Sequence, residues 1–254
     1  CIRDRPDLPT PQAAIDAIRN IDRKVLEYSP SAGYRSYREK LVGYYAKFNI
    51  NLTADDIIIT SGGSEAVLFS FLSCLNPGDE IIVPEPAYAN YMAFAISAGA
   101  KIRTIATTIE EGFSLPKVEK FEELINERTK AILICNPNNP TGEVRDKKYL
   151  TELIAKHPRV CFVIDQSYEY FTLKELFTAQ EAAGFPNVIL LHSMTKRYAI
   201  PGLRLGYVTA HPGLIGRLRT NRMPWSVNQL AIEAGLYLLS EGIPAGLSMK
   251  DYLA

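Results

Sequence analysis

Seven short apolar runs, separated by stretches with helical periodicity, are the feature that most constrains how this 254-residue chain folds. They are rich in β-branched residues and bounded by turn-forming or polar residues, which is typical of strands. Several are apolar at successive positions, as in strands that helices cover on both faces. The pattern predicts an α/β fold with a mostly parallel seven-stranded sheet covered by helices, built from the runs DDIIIT, EIIVP, KIRTIA, KAILICN, VCFVID, NVILLHS and LRLGYVTA.

The chain before the first run predicts an N-terminal helical segment over residues 1–50. Helical spacing extends from Pro11 to Leu26, and Thr10 is the expected N-cap. A loop containing SPSAGY follows, and a second amphipathic helix then runs from Tyr34 towards Asn49. We expect residues 51–254 to form one large domain, because neither an internal repeat nor a linker interrupts them.

Composition excludes several classes of partner. Lys plus Arg and Asp plus Glu each number 28, so no overall field attracts nucleic acid or an anionic membrane. No window approaches the roughly 18 apolar residues of a membrane span, and the opening CIRDRPDLPTP has charges where a signal peptide needs an apolar core. Metal-ligand spacing is also missing, so we predict a cytoplasmic protein with free thiols at Cys1, Cys74, Cys135 and Cys161.

One lysine stands among residue types that bind phosphate. In HSMTKRYAIPGLRLGY, Ser193 precedes Lys196 by three positions and Arg204 follows it by eight. A lysine amine reacts with an aldehyde when it can lose its proton near neutral pH, and a hydroxyl with a guanidinium would hold a dianionic phosphate. The combination indicates a lysine that carries pyridoxal phosphate. For this motif alone, a solvated surface lysine is the alternative.

Two further motifs follow predicted strands. After IIIT, Gly62 and Gly63 permit a tight turn, so that the amides of Gly63, Ser64 and Glu65 form an anion site at a helix N-terminus. A plain capped helix is the alternative. Tyr88 begins the helix after EIIVP, where its ring could stack on a flat heterocycle. A core tyrosine is the alternative there.

Polar residues also end the fourth and fifth runs. The turn NPNNPTG holds Asn139 where its amide can face a ligand oxygen, although it could be a simple turn. Asp165 closes a buried run and needs a partner, which a protonated pyridine nitrogen would provide. An N-cap for the next turn is its alternative role. The hydroxyl of Tyr168 could donate to the cofactor's 3-oxygen, or the ring could belong to the core.

In this order, the motifs SGGSEA, PAY, NNPTG, DQSY, SMTK and GLRLG resemble those of the class I/II aminotransferases of pyridoxal-phosphate fold type I. The likeness covers nearly the whole chain. Its first half resembles aspartate aminotransferases, and its second half resembles the branch of histidinol-phosphate aminotransferase and threonine-phosphate decarboxylase. The resemblance implies that residues 51–254 bind pyridoxal phosphate and that an L-amino acid gives its amino group to a 2-oxo acid. A threonine-phosphate decarboxylase and a non-catalytic cofactor-binding fragment stay open as alternatives.

Carried over position by position, the resemblance implies three catalytic residues. Lys196 would bind the cofactor covalently and move the proton, Asp165 would pair with the pyridine nitrogen, and Tyr168 would contact the 3-oxygen. Tyr28 would reach the phosphate of a neighbouring subunit, which implies a homodimer with shared sites. The bond before Pro140 is expected to be cis. The full predicted cofactor-binding set is Tyr28, Gly63, Ser64, Glu65, Tyr88, Asn139, Asp165, Tyr168, Ser193, Lys196 and Arg204.

The chain departs from the family pattern at both ends. Family members continue for roughly another hundred residues into a small domain that supplies an arginine for the substrate's α-carboxylate. The resemblance therefore predicts that this C-terminal small domain is absent here, and no residue of the chain is assigned that role. Near the amino end, Asp4 and Arg5 replace the usual glycine of the first loop.

Overall fold

A computed structural model describes residues 9–241, so the predictions for Cys1, Asp4 and Arg5 lie outside the described residues. All seven apolar runs form strands of one sheet, which confirms the predicted fold class. The strands are β1 (Ile57–Thr60), β2 (Glu80–Pro84), β3 (Lys101–Ile105), β4 (Thr129–Cys135), β5 (Cys161–Asp165), β6 (Val188–Ser193) and β7 (Gly206–Ala210).

The strand order is β1-β7-β6-β5-β4-β2-β3, and β7 runs opposite to the other six strands. Gly206 at the start of β7 pairs with Thr60 at the end of β1 and with Ser193 at the end of β6. The carboxyl ends of β1, β6, β5 and β4 therefore meet at one edge of the sheet, together with the segment that enters β7. Ligands of open α/β sheets bind at such an edge.

Helices cover both faces of the sheet. Side chains of each strand alternate between two hydrophobic clusters, so Ile57 and Ile59 belong to one and Ile58 to the other. The first cluster includes residues of α1, α2, α5, α6, α7 and α10, and the second includes residues of α3, α4 and α9. The helices are α1 (Gln12–Arg19), α2 (Arg35–Ala46), α3 (Gly62–Cys74), α4 (Asn90–Ser97), α5 (Val118–Leu124), α6 (Lys147–Lys156), α7 (Ala179–Gly184), α8 (Met194–Arg197), α9 (Pro212–Asn221) and α10 (Gln229–Glu241).

The first helix is shorter than its sequence pattern predicts. It ends at Arg19, whereas the apolar spacing continues to Leu26. Past that end, Arg23 forms an ion pair with Glu233 of α10, at 2.6 Å, and Leu26 is exposed. Helices of this length depend on packing of an apolar face, and residues 21–28 have no core to pack against.

The prediction that Thr10 caps α1 is wrong, because Pro11 occupies the cap position and no side chain accepts a hydrogen bond from the first amides of the helix. The hydroxyl of Thr10 donates instead to the carbonyl of Ala199. The second helix was expected from Tyr34 towards Asn49, and it spans Arg35–Ala46. Tyr37, Leu41 and Tyr45 of this helix are buried in the first cluster. Within residues 9–241, no helix combines the length and apolar character needed to cross a membrane.

Candidate active site

A cavity of about 170 Å³ opens at the edge where the strand ends meet. Its walls come from the segments that follow β1, β2, β4, β5 and β6 and from the segment that enters β7. The structure brings nine of the predicted residues to this one cavity: Gly63, Ser64, Tyr88, Asn139, Asp165, Tyr168, Ser193, Lys196 and Arg204.

The first turn of α3 and Arg204 form one end of the cavity. Gly62 has φ +78°, a conformation that glycine adopts at little cost, and Arg204 also lies in the left-handed region. A Cβ atom at Gly62 would lie 2.5 Å from Nη2 of Arg204, so the guanidinium rests where a side chain would otherwise stand. Arg204 Nη1 donates to the carbonyl of Pro201, at 3.1 Å. This end therefore combines a cation with a helix N-terminus, a favourable arrangement for an anion.

Gly206 makes that close packing possible, although the sequence interpretation did not single it out within GLRLG. A Cβ atom at Gly206 would lie 2.7 Å from the carbonyl oxygen of His192 and 2.8 Å from the carbonyl carbon of Gly62. Because β7 lies between β1 and β6, only a residue without a side chain lets the first turn of α3 sit on the strand ends. A glycine at the start of a predicted strand often marks a close approach of another backbone, and this signal could have identified Gly206 from the sequence.

Asp165 lies at the cavity floor and is 6% exposed. The hydroxyl of Tyr91 donates to Oδ2 at 2.7 Å, and the amide and hydroxyl of Ser167 donate to Oδ1 at 2.9 and 2.6 Å. The alternative role as a turn cap is therefore present. A carboxylate has about four acceptor positions, so these three neutral donors leave capacity for one more. Capping the turn and binding a cation are thus compatible roles.

Tyr91 and Ser167 were missed by the sequence interpretation. Tyr88 lies two residues before α4 begins at Asn90, so the prediction that it begins the helix is wrong. Tyr91 follows it by three residues, and the two rings meet edge to face with centroids 5.5 Å apart. Burial, together with Asp165, raises the pKa of Tyr91 well above its ordinary value, so the phenol remains a proton donor to the carboxylate. The spacing from Tyr88 and the position of Ser167 within DQSY were available signals. Val67, Phe94, Thr195 and Pro201 also line the cavity without having been predicted.

Lys196, Tyr168 and Asn139 come together on one wall of the cavity. The Nζ atom of Lys196 lies 5.6 Å from the centroid of the Tyr168 ring. The side-chain amide of Asn139 donates to the hydroxyl of Tyr168, at 3.4 Å. The Asn139–Pro140 bond is cis, as expected from the sequence. An amine, a phenol and an amide thus face the same space from helix α8 and from the loops after β5 and β4.

Two predicted residues do not line the cavity. Glu65 turns back along α3, where its Oε2 atom accepts from the Ser61 amide at 2.6 Å and from the Ser226 hydroxyl at 3.0 Å. Its carboxylate stabilises the start of the helix and so does not face the cavity. Tyr28 is 78% exposed on the surface, with its ring centroid 4.9 Å from that of Trp225.

Comparison with known proteins identifies the family of the chain. The family model described as aminotransferase class I and II matches residues 4–246. An aspartate aminotransferase of Pyrococcus horikoshii is 36% identical over 210 residues, which are 81% of this chain and 54% of that protein. A histidinol-phosphate aminotransferase of Carboxydothermus hydrogenoformans is 31% identical over 238 residues, which are 91% and 62% of the two chains.

A solved structure gives the same result for the fold. A tetra mutant of the Thermus thermophilus aspartate aminotransferase superposes with a TM-score of 0.86 at 29% identity, covering 99% of this chain and 69% of that one. The chain spans about half the length of the curated relatives it matches. These relatives have aminotransferase names and do not favour the decarboxylase alternative. Because the family model matches nearly every residue, this chain belongs to the aminotransferase class I and II family.

Proposed function

We propose that this chain is the pyridoxal-phosphate-binding part of an aminotransferase that transfers the amino group of an L-amino acid to a 2-oxo acid. One observation carries the proposal: Lys196, Asp165 and the anion-binding turn of α3 line a single cavity. The family of the chain supports the same reaction. No specific contact in the cavity favours decarboxylation.

The residues present fit pyridoxal phosphate at each of its functional groups. Arg204, Ser193 and the first turn of α3 supply a cation and hydrogen-bond donors at one end, which suits a phosphate. The spare acceptor position of Asp165 suits a protonated pyridine nitrogen. The amine of Lys196 suits an aldehyde. At the phosphate end, the guanidinium of Arg204 already occupies the space that the missing side chain of Gly62 leaves.

When bound, the cofactor would supply an electron-accepting ring that stabilises negative charge at the substrate's Cα. In the proposed mechanism, Lys196 would hold the cofactor through its amine, and the same amine would move the proton at the substrate's Cα as a general base and acid. Asp165 would pair with the pyridine nitrogen and favour its protonated form. Tyr91 and Ser167 fix the direction of that carboxylate by their hydrogen bonds.

The remaining cavity residues orient the reactants. Tyr168 and Asn139, already within hydrogen-bond distance of each other, would hold the 3-oxygen of the cofactor. Tyr88 would cover one face of the ring and keep water from it. Gly63, Ser64, Ser193 and Arg204 would hold the phosphate and so would orient the cofactor relative to Lys196.

We also propose a homodimer in which Tyr28 reaches the partner's phosphate. The supporting observation is an exposed apolar surface around the rings of Tyr28 and Trp225, which contact each other at a tilt of 32°, with Val25, Leu26 and Met223 exposed close to them in sequence. Exposed apolar patches of this kind mark protein interfaces. Sedimentation equilibrium should show a dimer, and a monomer at micromolar concentration would contradict the proposal.

Amino-acid metabolism in the cytoplasm is the proposed setting. Its support is that Cys74, Cys135 and Cys161 are free thiols, as in proteins of reducing compartments.

The test of the reaction is an absorbance spectrum of the chain with pyridoxal phosphate, before and after addition of single amino donors. Glutamate, aspartate, histidinol phosphate and phosphothreonine cover the candidate classes. We expect a visible band that one donor shifts to shorter wavelength, with the matching oxo compound released. Carbon dioxide release without consumption of a 2-oxo acid would indicate the decarboxylase. A band that no donor moves would indicate cofactor binding without turnover, and no band at all would contradict the proposed function.

A further inference from the structure

The side chain next to Lys196 has an unexplained set of contacts. Arg197 is not among the residues that line the cavity, and its guanidinium lies 3.7 Å from the centroid of the Tyr170 ring. Its Nη1 atom donates to the hydroxyl of Tyr44, at 2.7 Å, and the Tyr44 and Tyr170 hydroxyls are 3.4 Å apart. We call these three residues the Arg197 clamp. They come from α8, from the loop after β5 and from α2.

The segment that carries Lys196 needs such an anchor. Helix α8 has four residues, and Ala199 just after it adopts a left-handed conformation with φ +50°. A single helical turn is not stable in isolation, so its position depends on tertiary contacts. One of these is the hydrogen bond from the Met194 amide to the Leu205 carbonyl, at 3.1 Å, which holds the start of the turn. The Arg197 clamp holds its end.

The loop after β5 resembles α8 in contacting both the cavity and the Arg197 clamp. Tyr168 lines the cavity, while Tyr170, two residues later, lies under the guanidinium of Arg197. Lys196 lines the cavity as well, and it directly precedes Arg197. Helix α8 and the loop after β5 therefore each present one residue to the cavity and a nearby residue to the clamp. Because the guanidinium of Arg197 stacks on the Tyr170 ring and donates to the hydroxyl of Tyr44, it fixes α8 and the loop after β5 relative to α2.

We propose that Arg197 is a positioning residue, which together with Tyr170 and Tyr44 fixes the Lys196 amine over the Tyr168 ring and thereby sets its reactivity towards carbonyl compounds. This inference rests on the proposed function, in which Lys196 is the residue that binds the cofactor. Misplacement of a reacting group by about 1 Å can lower a rate about a hundredfold. Loss of the clamp should therefore lower the reaction rate of the Lys196 amine without unfolding the chain.

The test compares wild type with Arg197→Met, Tyr170→Leu and the double variant. In the protein without cofactor, competitive acylation across a range of pH gives the rate and pKa of Lys196. Trapping with borohydride then gives the rate at which pyridoxal phosphate attaches to the same residue. We expect each single substitution to slow both reactions roughly ten- to a hundredfold. The double variant should be no slower than the slower single variant, because the clamp acts as one unit.

Control variants separate positioning from general damage. Tyr170→Phe keeps the ring beneath the guanidinium and should react nearly as wild type does. Arg197→Lys keeps the charge but loses the planar fork, so its rate should be intermediate. Arg35→Met removes an exposed arginine of α2 that pairs with Glu39 at 2.7 Å, and it should leave Lys196 unchanged. Thermal unfolding of every variant shows whether it is folded.

Each outcome decides the inference. A folded Arg197→Met protein whose Lys196 is acylated at the wild-type rate would overturn it, and so would independent, multiplying effects of the two single substitutions. If Arg197→Met does not fold, Tyr170→Leu against Tyr170→Phe carries the same comparison. If wild type fails to bind pyridoxal phosphate, the proposed function fails, while the acylation rates still decide the role of the clamp.

Discussion

The end of β6 places neighbouring residues in two opposite environments. On the cavity side, Ser193 and Lys196 face open space of about 170 Å³. On the other side, His192 is buried, with Nδ1 3.1 Å from Glu169 and Nε2 3.0 Å from Thr209. Its ring also stacks on Tyr207, with centroids 4.4 Å apart. Polar groups on the cavity side line a space that a ligand can occupy, whereas the polar groups of His192 bond to other side chains of the protein.

The difference shows how a reactive edge can be both open and well positioned. Side chains of a strand alternate between the two faces of a sheet, so adjacent residues can serve binding and anchoring separately. Substitutions on the cavity side should change chemistry more than stability. Substitutions on the buried side should change stability or the position of the cavity residues.

The largest effect is expected from Lys196→Ala. Removal of the amine should abolish covalent attachment of pyridoxal phosphate, because no other group of the proposed mechanism reacts with the aldehyde. Borohydride reduction followed by mass spectrometry of the peptides measures the attachment. Lys148→Ala, which removes an exposed lysine of α6, is the matched control. A reducible bond that persists in Lys196→Ala would show that the central residue is wrongly assigned.

Asp165→Asn should have the next largest effect. The amide preserves the shape of the side chain, and the hydroxyl of Tyr91 can accept as well as donate, so the fold should be retained. Loss of the charge should lower the rate of amino transfer by about 10²–10³-fold while cofactor binding persists. Single-turnover absorbance measurements with a fixed donor test this. An unchanged rate would mean that Asp165 only caps the turn at Ser167.

On the buried side, His192→Leu should affect stability. Thr209 is fully buried and would lose its partner, and leaving a buried polar group unsatisfied costs about 1–3 kcal/mol. The partly buried Glu169 would lose a partner as well. Urea unfolding should therefore show a lower free energy of unfolding, whereas attachment at Lys196 should remain detectable. If His192→Leu is as stable as wild type but pyridoxal phosphate no longer attaches at Lys196, the proposed difference between the cavity side and the buried side of β6 is wrong.

The smallest effect concerns Gly62. Its left-handed backbone would cost an alanine about 1–2 kcal/mol, and the new Cβ atom would displace the guanidinium of Arg204. Gly62→Ala should therefore weaken binding of pyridoxal phosphate, as measured by a fluorescence titration. Gly43→Ala is the matched control, because Gly43 lies within α2 with no atom within 4 Å of the new Cβ. That variant should be stabilised by about 0.5–1 kcal/mol with unchanged affinity. Equal affinities of the two variants would contradict the assignment of Gly62 to the phosphate end.

Much of the fold followed from local patterns. Seven apolar runs became seven strands, since burial of β-branched residues between two helical layers is encoded run by run. The cavity was largely predictable for the same reason, because residues that follow neighbouring strands must meet at one edge. The roles of those residues stay predictions. The length of α1 was wrongly predicted, because helical spacing continues where no core remains to pack against.

The sequence by itself determined the strands, their polar ends and the order of motifs that places the chain in its family. Only the tertiary structure decided which polar atoms meet. Tyr91 and Asp165 are 74 positions apart, and Arg197 and Tyr44 are 153 positions apart, yet each pair shares one hydrogen bond. Likewise, the carboxylate of Glu65 accepts a hydrogen bond from the Ser61 amide at the start of α3 and does not line the cavity. Hydrophobic periodicity is local and can be read along the chain, whereas the direction of a polar side chain depends on partners that only folding brings near.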